Sequence, residues 1–117
     1  MISAREVVRQ ARVNALQDVD ADDFAFNDKQ MLDALNDAVQ RALKLKPILR
    51  WTNTYTYKQP EDFRVSSIDD TLDINPEYEE ALMMGTAANI CTRLQADEAM
   101  QKNGQRFEQE FIALMRM

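Results

Sequence analysis

Apolar positions recur at helical spacing in four stretches of the chain, and in one stretch between them they alternate. The first stretch sets Val7, Val8, Ala11, Ala15 and Leu16 on one stripe and fades near Gln17. Ser3 with Glu6 three residues on reads as a capping box, and Ile2 with Val7 as the hydrophobic staple beside it. The second stretch opens with the same grammar: Asn27 pairs with Gln30 as a cap, and Phe26 with Met31 as a staple. Met31, Leu32, Leu35, Ala38, Val39, Ala42 and Leu43 then share a face. Arg41, Lys44 and Lys46 crowd its last turns, where positive charge suits the helix dipole, and Pro47 ends it.

From Arg50 to Tyr57 the period falls to two. Trp51, Asn53, Tyr55 and Tyr57 lie on one side and Thr52, Thr54 and Thr56 on the other, a composition suited to extended backbone. This segment is either a local arm laid over the helices or a strand completed by a neighbouring subunit. Pro60 to Ile74 is acidic and irregular, with Phe63, Val65, Ile68 and Leu72 as scattered anchors. A third helix starts at Asn75 as cap with Pro76 in its first position. Its buried face is Tyr78, Leu82, Met83, Ala87, Ile90, Cys91 and Leu94, and Gly85, Ala87 and Ala88 make its middle slim enough for close approach. A break at Ala96–Asp97 leads to a last helix at about 98–116, striped by Phe107, Phe111, Leu114 and Met115 and weakened by Asn103–Gly104. The pattern predicts a mainly α protein. It is a single domain over 1–117, a small bundle of about four helices with an extended strand or hairpin arm at about 50–59, between helices 2 and 3.

Composition supports that picture. With two glycines and three prolines in 117 residues, the chain lacks the turns that a sandwich or barrel of short strands requires. The formal charge is −6, which disfavours tight binding of duplex DNA through a basic face. One cysteine and no histidine exclude an internal disulfide and remove the usual parts of triads, zinc sites and imidazole acid–base chemistry. Cys91 lies within an apolar stripe and reads as a core thiol. Both glycines fall inside helical patterns, so no phosphate-binding loop is present. No signal-peptide core or membrane-length apolar run appears.

Two acidic groups invite a metal reading. Asp18, Asp20 and Asp22 match the first three ligand positions of a calcium loop, but Asp23 stands where the sharp turn needs glycine and Lys29 where the bidentate glutamate belongs. The loop therefore reads as a solvated acidic turn, with Phe24 and Phe26 folding back as core anchors. Asp69, Asp70, Asp73, Glu77 and Glu80 form the other cluster, a pattern expected of capping and solvation more than of catalysis. No cofactor is expected, and the chain reads as a non-enzyme.

The order of elements carries a resemblance. Asn14-Ala15-Leu16-Gln17-Asp18 closes the first helix. A short acidic, aromatic loop leads to Asp28-Lys29-Gln30-Met31-Leu32-Asp33-Ala34-Leu35-Asn36-Asp37-Ala38 and on to Lys46-Pro47. Asn75-Pro76-Glu77-Tyr78-Glu79-Glu80-Ala81-Leu82 opens a helix, and Phe107 to Leu114 closes the last. Outside roughly 48–74, this resembles the small helical head-to-tail connector (adaptor) proteins of tailed bacteriophages, with Phe24 and Phe26 where relatives often carry tryptophan. The resemblance implies a virion protein of the head–tail neck, made in the host cytoplasm. It implies a homo-oligomeric ring of twelve copies beneath the portal protein, extending the DNA channel and docking a head-closure or tail protein. Genomic DNA would pass through without specific binding, and no membrane is involved.

On that reading Trp51, Tyr55 and Tyr57 supply aromatic contact surface. Phe111, Leu114, Met115 and Met117 either seat in the portal or a neighbouring subunit, or finish the chain's own core. Asp18, Asp20, Asp22 and Asp23 face the channel or solvent. The alternatives are a tail-completion or head-closure protein of the same neck, an acidic DNA mimic that inhibits a host enzyme through those aspartates, and a carboxylate–metal enzyme.

Overall fold

The computed structural model describes residues 1–16, 26–51, 56–93 and 98–116, with backbone alone at 15, 93 and 98–100. Over these residues the chain is mainly helical. Its order is β1 (Ile2–Ser3), α1 (Ala4–Gln10) running into a wide π-helical turn (Ala11–Leu16), α2 (Asp28–Leu45), β2 (Thr71–Leu72), α3 (Glu79–Arg93) and α4 (Glu98–Met115). Short 3-10 turns at Pro47–Arg50, Pro60–Phe63 and Pro76–Tyr78 link them. Each begins with proline, whose fixed φ suits the first position of a helical turn.

α3 is the hub. It packs against α1, α2 and α4, and from Ala81 to Cys91 nearly every side chain is buried, as expected of a helix enclosed on most sides. The close approach expected at Gly85 is present: a β-carbon there would lie 2.8 Å from Phe111 Cδ1 and 3.0 Å from the Ala38 β-carbon. α2 and α4 thus both cross α3 at its missing side chain. Gly104 has the same role one crossing away, where a β-carbon would stand 2.8 Å from that of Cys91. The glycine expected to weaken α4 is what lets it lie against α3. The main cluster runs from Ile2 through α1, α2 and α3 to Phe111 and Met115. A smaller one of Ala87, Ala88, Cys91 and Phe107 joins it through Leu16 and Met84.

The helix starts follow the sequence with two departures. Asn27 and Gln30 form the full reciprocal cap, Gln30 N donating to Asn27 Oδ1 at 2.8 Å and Asn27 N to Gln30 Oε1 at 2.9 Å. At α1 only half of the box exists. Glu6 N donates to Ser3 Oγ at 3.4 Å, but the Glu6 carboxylate turns away to accept from Arg9 Nε at 3.0 Å and Gln10 Nε2 at 3.1 Å. The second departure is at Asn75, which caps through Glu77 N at 3.0 Å; the turn after it is 3-10, so the α-helix proper begins at Glu79. The first helix also does not run regularly to Gln17. Its last turn widens, and within it Arg12 is buried, donating to Phe26 O at 2.7 Å and to Asp28 Oδ1 at 3.0 Å. Leu94 and Asp97 lie outside the described residues, as do Phe24 and the acidic loop from Asp18 to Asp23.

The irregular segment is held by side chains of α2. Asn36 donates from Nδ2 to Val65 O and accepts from Val65 N, both at 2.8 Å, so one amide stands in for a neighbouring strand. Gln40 Nε2 donates to Pro60 O at 2.8 Å. Phe63, Val65 and Leu72 are buried as expected, with Ile68 packed partly against the core. The sequence pattern did not show that Leu72 pairs back to Ile2, and Thr71 to Ser3, in a two-residue antiparallel sheet.

Candidate interaction surface

The placement of the candidate chemical groups decides what kind of site remains. Cys91 is buried against Gly104, and burial pushes its thiol pKa up, away from the reactive thiolate. The carboxylates of the 69–80 cluster do not converge. Asp69 pairs with Arg5. Asp70 accepts from Ser66 N at 2.9 Å and Ser67 N at 3.1 Å, which lowers its pKa, and Asp73 meets Lys58 at 3.3 Å. Among the described residues no three acidic or thiol side chains are placed to share a metal ion. Asp18, Asp20, Asp22 and Asp23 lie outside them.

The C-terminal stripe resolves in favour of the chain's own core. Phe111 is fully buried and Met115 is 1% exposed, with Leu114 packed partly against the same cluster. Of the two readings open for this stripe, the burial of Phe111 and Met115 supports the core one, and Gly85 and Ala38 provide the slot that the Phe111 ring fills. Met117 lies outside the described residues.

The arm is different. Pro47 turns the chain off the end of α2, and a short antiparallel contact then brings Trp51 opposite Tyr57. Lys58 N donates to Arg50 O at 2.9 Å, Arg50 Nε to Lys58 O at 2.8 Å, and Arg50 Nη2 to Gln59 Oε1 at 2.9 Å. The Arg50 guanidinium lies 4.2 Å from the Tyr57 ring centre, and the Trp51 and Tyr57 rings are 5.0 Å apart and tilted by 49°. These contacts tie Arg50 and Trp51 to Tyr57, Lys58 and Gln59 within the same chain. Tyr55 lies outside the described residues.

These aromatic rings remain in solvent. Ile48 is 68% exposed, Trp51 55%, Tyr57 46% and Leu45 43%. Beside them a cleft of about 190 Å³ separates Ile48, Leu49 and Trp51 from Ile74, Asn75 and Tyr78, with Asp73 and Glu77 on the far wall. Lys46 Nζ stands 5.0 Å from the Tyr78 ring centre. A contiguous apolar surface rimmed by charge marks a contact site more often than a catalytic one.

A second cleft, of about 440 Å³, lies along α3 and α4 and was not apparent from the sequence. Arg41 pairs with Glu108 across it, donates to Asn89 Oδ1 at 3.0 Å and lies over the Phe111 ring, while Asn89 Nδ2 donates to Ala34 O at 2.9 Å. Partial burial lowers the Arg41 pKa. The arrangement joins three helices, with Arg41 and Glu108 engaged with each other.

Charge gives the signal that hydropathy alone missed. Residues 38–60 hold five of the fourteen Lys and Arg residues and none of the twenty Asp and Glu. The preceding stretch, 18–37, holds seven acids and one lysine. Three of those five, Arg41, Lys44 and Lys46, lie on α2 or at its end, and the arm itself carries Arg50 and Lys58 with no acid. Among the described residues no helix is long and apolar enough to cross a membrane. No family model, curated protein or solved structure matches the chain.

Proposed function

We propose that this protein is a structural adaptor of the head–tail neck of a tailed bacteriophage, a non-catalytic binding protein that assembles as a ring beneath the portal. The observation that carries the reading is the exposed Ile48–Trp51–Tyr57 surface on an otherwise well-packed helical domain. Trp51 and Ile48 are more than half in solvent on one surface with Tyr57, and interface centres are enriched in aromatic side chains of this kind. The resemblance in order and motif to head-to-tail connectors supplies the kind of partner. The net charge of −6 suits a ring through which DNA passes, since copies of an acidic subunit build a wall that repels phosphate.

Chemistry points the same way. The thiol is buried, the carboxylates of 69–73 each hold a structural partner, and the larger cleft is centred on an internal ion pair. The test is to mix the purified protein with the portal protein of the same genome and image the product. A ring seated on the portal is the expected result. Absence of any complex under conditions where the portal is itself assembled would refute the proposal.

A further inference from the structure

We infer that Asn103–Gly104 in α4 is a self-modification site, whose isoaspartyl product lifts the first half of α4 off Cys91. The chemistry begins in the sequence. Of the seven asparagines in the chain, Asn103 is the one followed by glycine. With no β-carbon, glycine leaves its backbone nitrogen open to the carboxamide before it. Gly104 N attacks Asn103 Cγ, the Cγ–Nδ2 bond breaks, and ammonia leaves with the amide proton. Water then opens the succinimide ring. Breaking the bond from Gly104 N to Cγ gives aspartate, and breaking its bond to the backbone carbonyl carbon of residue 103 gives isoaspartate. Nothing is oxidised or reduced, and water is the one co-reactant.

Packing explains why the glycine is there. A β-carbon at 104 would stand 2.8 Å from that of Cys91, so the α3–α4 crossing requires glycine at the position that makes Asn103 reactive. Asn27, Asn36, Asn75 and Asn89 each spend their side-chain amides on hydrogen bonds, whereas Asn103 is exposed. An intact helix opposes the reaction, because the Gly104 amide donates four residues back and Asn103 is held at helical ψ. Ring closure therefore needs local opening, and α4 is built unevenly for it. From Gln101 to Arg106 Gly104 alone is buried, while Phe107, Phe111 and Met115 anchor the remainder. Segments with few buried apolar contacts open first. Isoaspartate then makes the opening permanent. The chain now runs through the β-carbon of residue 103, so every helical hydrogen-bonded ring spanning that residue gains an atom. Gly104 loses its register against Cys91, which is 2% exposed while the helix is intact.

The experiment ages the full chain in warm, mildly alkaline buffer, beside the same chain unfolded in guanidinium chloride. The peptide that carries residue 103 is followed by mass and by isoaspartate content. In the folded chain Asn103 is expected to convert ahead of the other asparagines. Its rate relative to the unfolded chain should match the open fraction that hydrogen exchange reports at the Gly104 amide, since both need that N–H released. Labelling of Cys91 by a thiol reagent supplies the second readout. Molecules carrying isoaspartate should label at least about tenfold faster than fresh protein. Asn103→Gln, aged alike, should keep Cys91 protected, which excludes damage elsewhere as the cause. Asn103→Asp should stay protected as well, which separates the inserted backbone atom from the added charge. A folded chain in which Asn103 outlasts the other asparagines, or isoaspartate that leaves Cys91 labelling unchanged, would overturn the inference. So would fast labelling of either variant, since the backbone insertion would then not be what opens α4. A conversion rate that follows exchange at the core amides of α3 would tie the reaction to global unfolding and equally overturn it.

Discussion

Phe111 and Trp51 are both aromatic residues in patterned segments, and the fold treats them in opposite ways. Phe111 sits in a slot formed where α3 has Gly85 and α2 has Ala38, with the Arg41 guanidinium 4.9 Å from its ring centre. Trp51 stands on an arm that Pro47 has turned off α2, tied down by backbone bonds and a neighbouring ring, and more than half of it faces water. An aromatic stripe therefore reports burial only where another element supplies small residues to receive it. Where none does, the stripe is surface, and its apolar area is available to another chain.

The contrast can be broken most forcefully from the buried side. Phe111→Ala removes the ring from its slot and is expected to cost about 3–5 kcal/mol, read as a lower urea midpoint with unchanged slope. Gly85→Val attacks the same slot from the other wall, forcing carbon into a space already at contact distance, at about 1–3 kcal/mol. Either variant retaining wild-type stability would mean that α4 does not pack at this crossing.

A smaller loss is expected where α2 holds the irregular segment. Asn36→Ala takes away two bonds and leaves the Val65 amide and carbonyl to find others, at about 1–3 kcal/mol. Hydrogen exchange at Val65 should rise with it, and an unchanged rate would contradict the pairing.

That segment also shows where sequence reasoning stops. Helix starts at Asn27 and Asn75 were legible because a cap and its partner lie within a few residues of each other. The buried face of α2 was legible because one period of apolar residues defines it. The pairing of Ile2 with Leu72 was not, since it joins residues 70 positions apart through two-residue strands too short to show a period. Arg12 and the Arg41–Asn89–Glu108 bracket escaped for a related reason: polar side chains are read as solvent-facing until a distant acceptor is known. The arm's alternation was legible, and so was its aromatic character. Its basic charge was present in the sequence and emerged only when charge was counted by segment instead of over the whole chain.

Near the bottom of the scale, Ile48→Ser and Trp51→Ser should each change stability by no more than about 0.5 kcal/mol, as expected of exposed positions. A large loss of stability would make the arm part of the fold and end the contrast with Phe111. Smallest of all is the acid response of the Glu6–Arg9 pair. The bond from Arg9 and the one from Gln10 hold the Glu6 carboxyl down at about 2. A depressed carboxyl favours the folded state above its ordinary value near 4.5 and loses that contribution as pH falls towards 2. Solvent screens the pair, so the effect is slight. Glu6→Gln should flatten the stability curve in that window, lying slightly below the wild type at neutral pH and meeting it as pH falls towards 2, as followed by thermal melts at stepped pH.

The most direct test of the central claim uses the double variant Ile48→Ser/Trp51→Ser, measured for melting temperature and for binding to the portal protein of the same genome. The account predicts a melt close to that of the wild type and binding weaker by at least about tenfold, the loss expected when central apolar anchors of an interface are removed. Wild-type affinity in a normally folded double variant would contradict it.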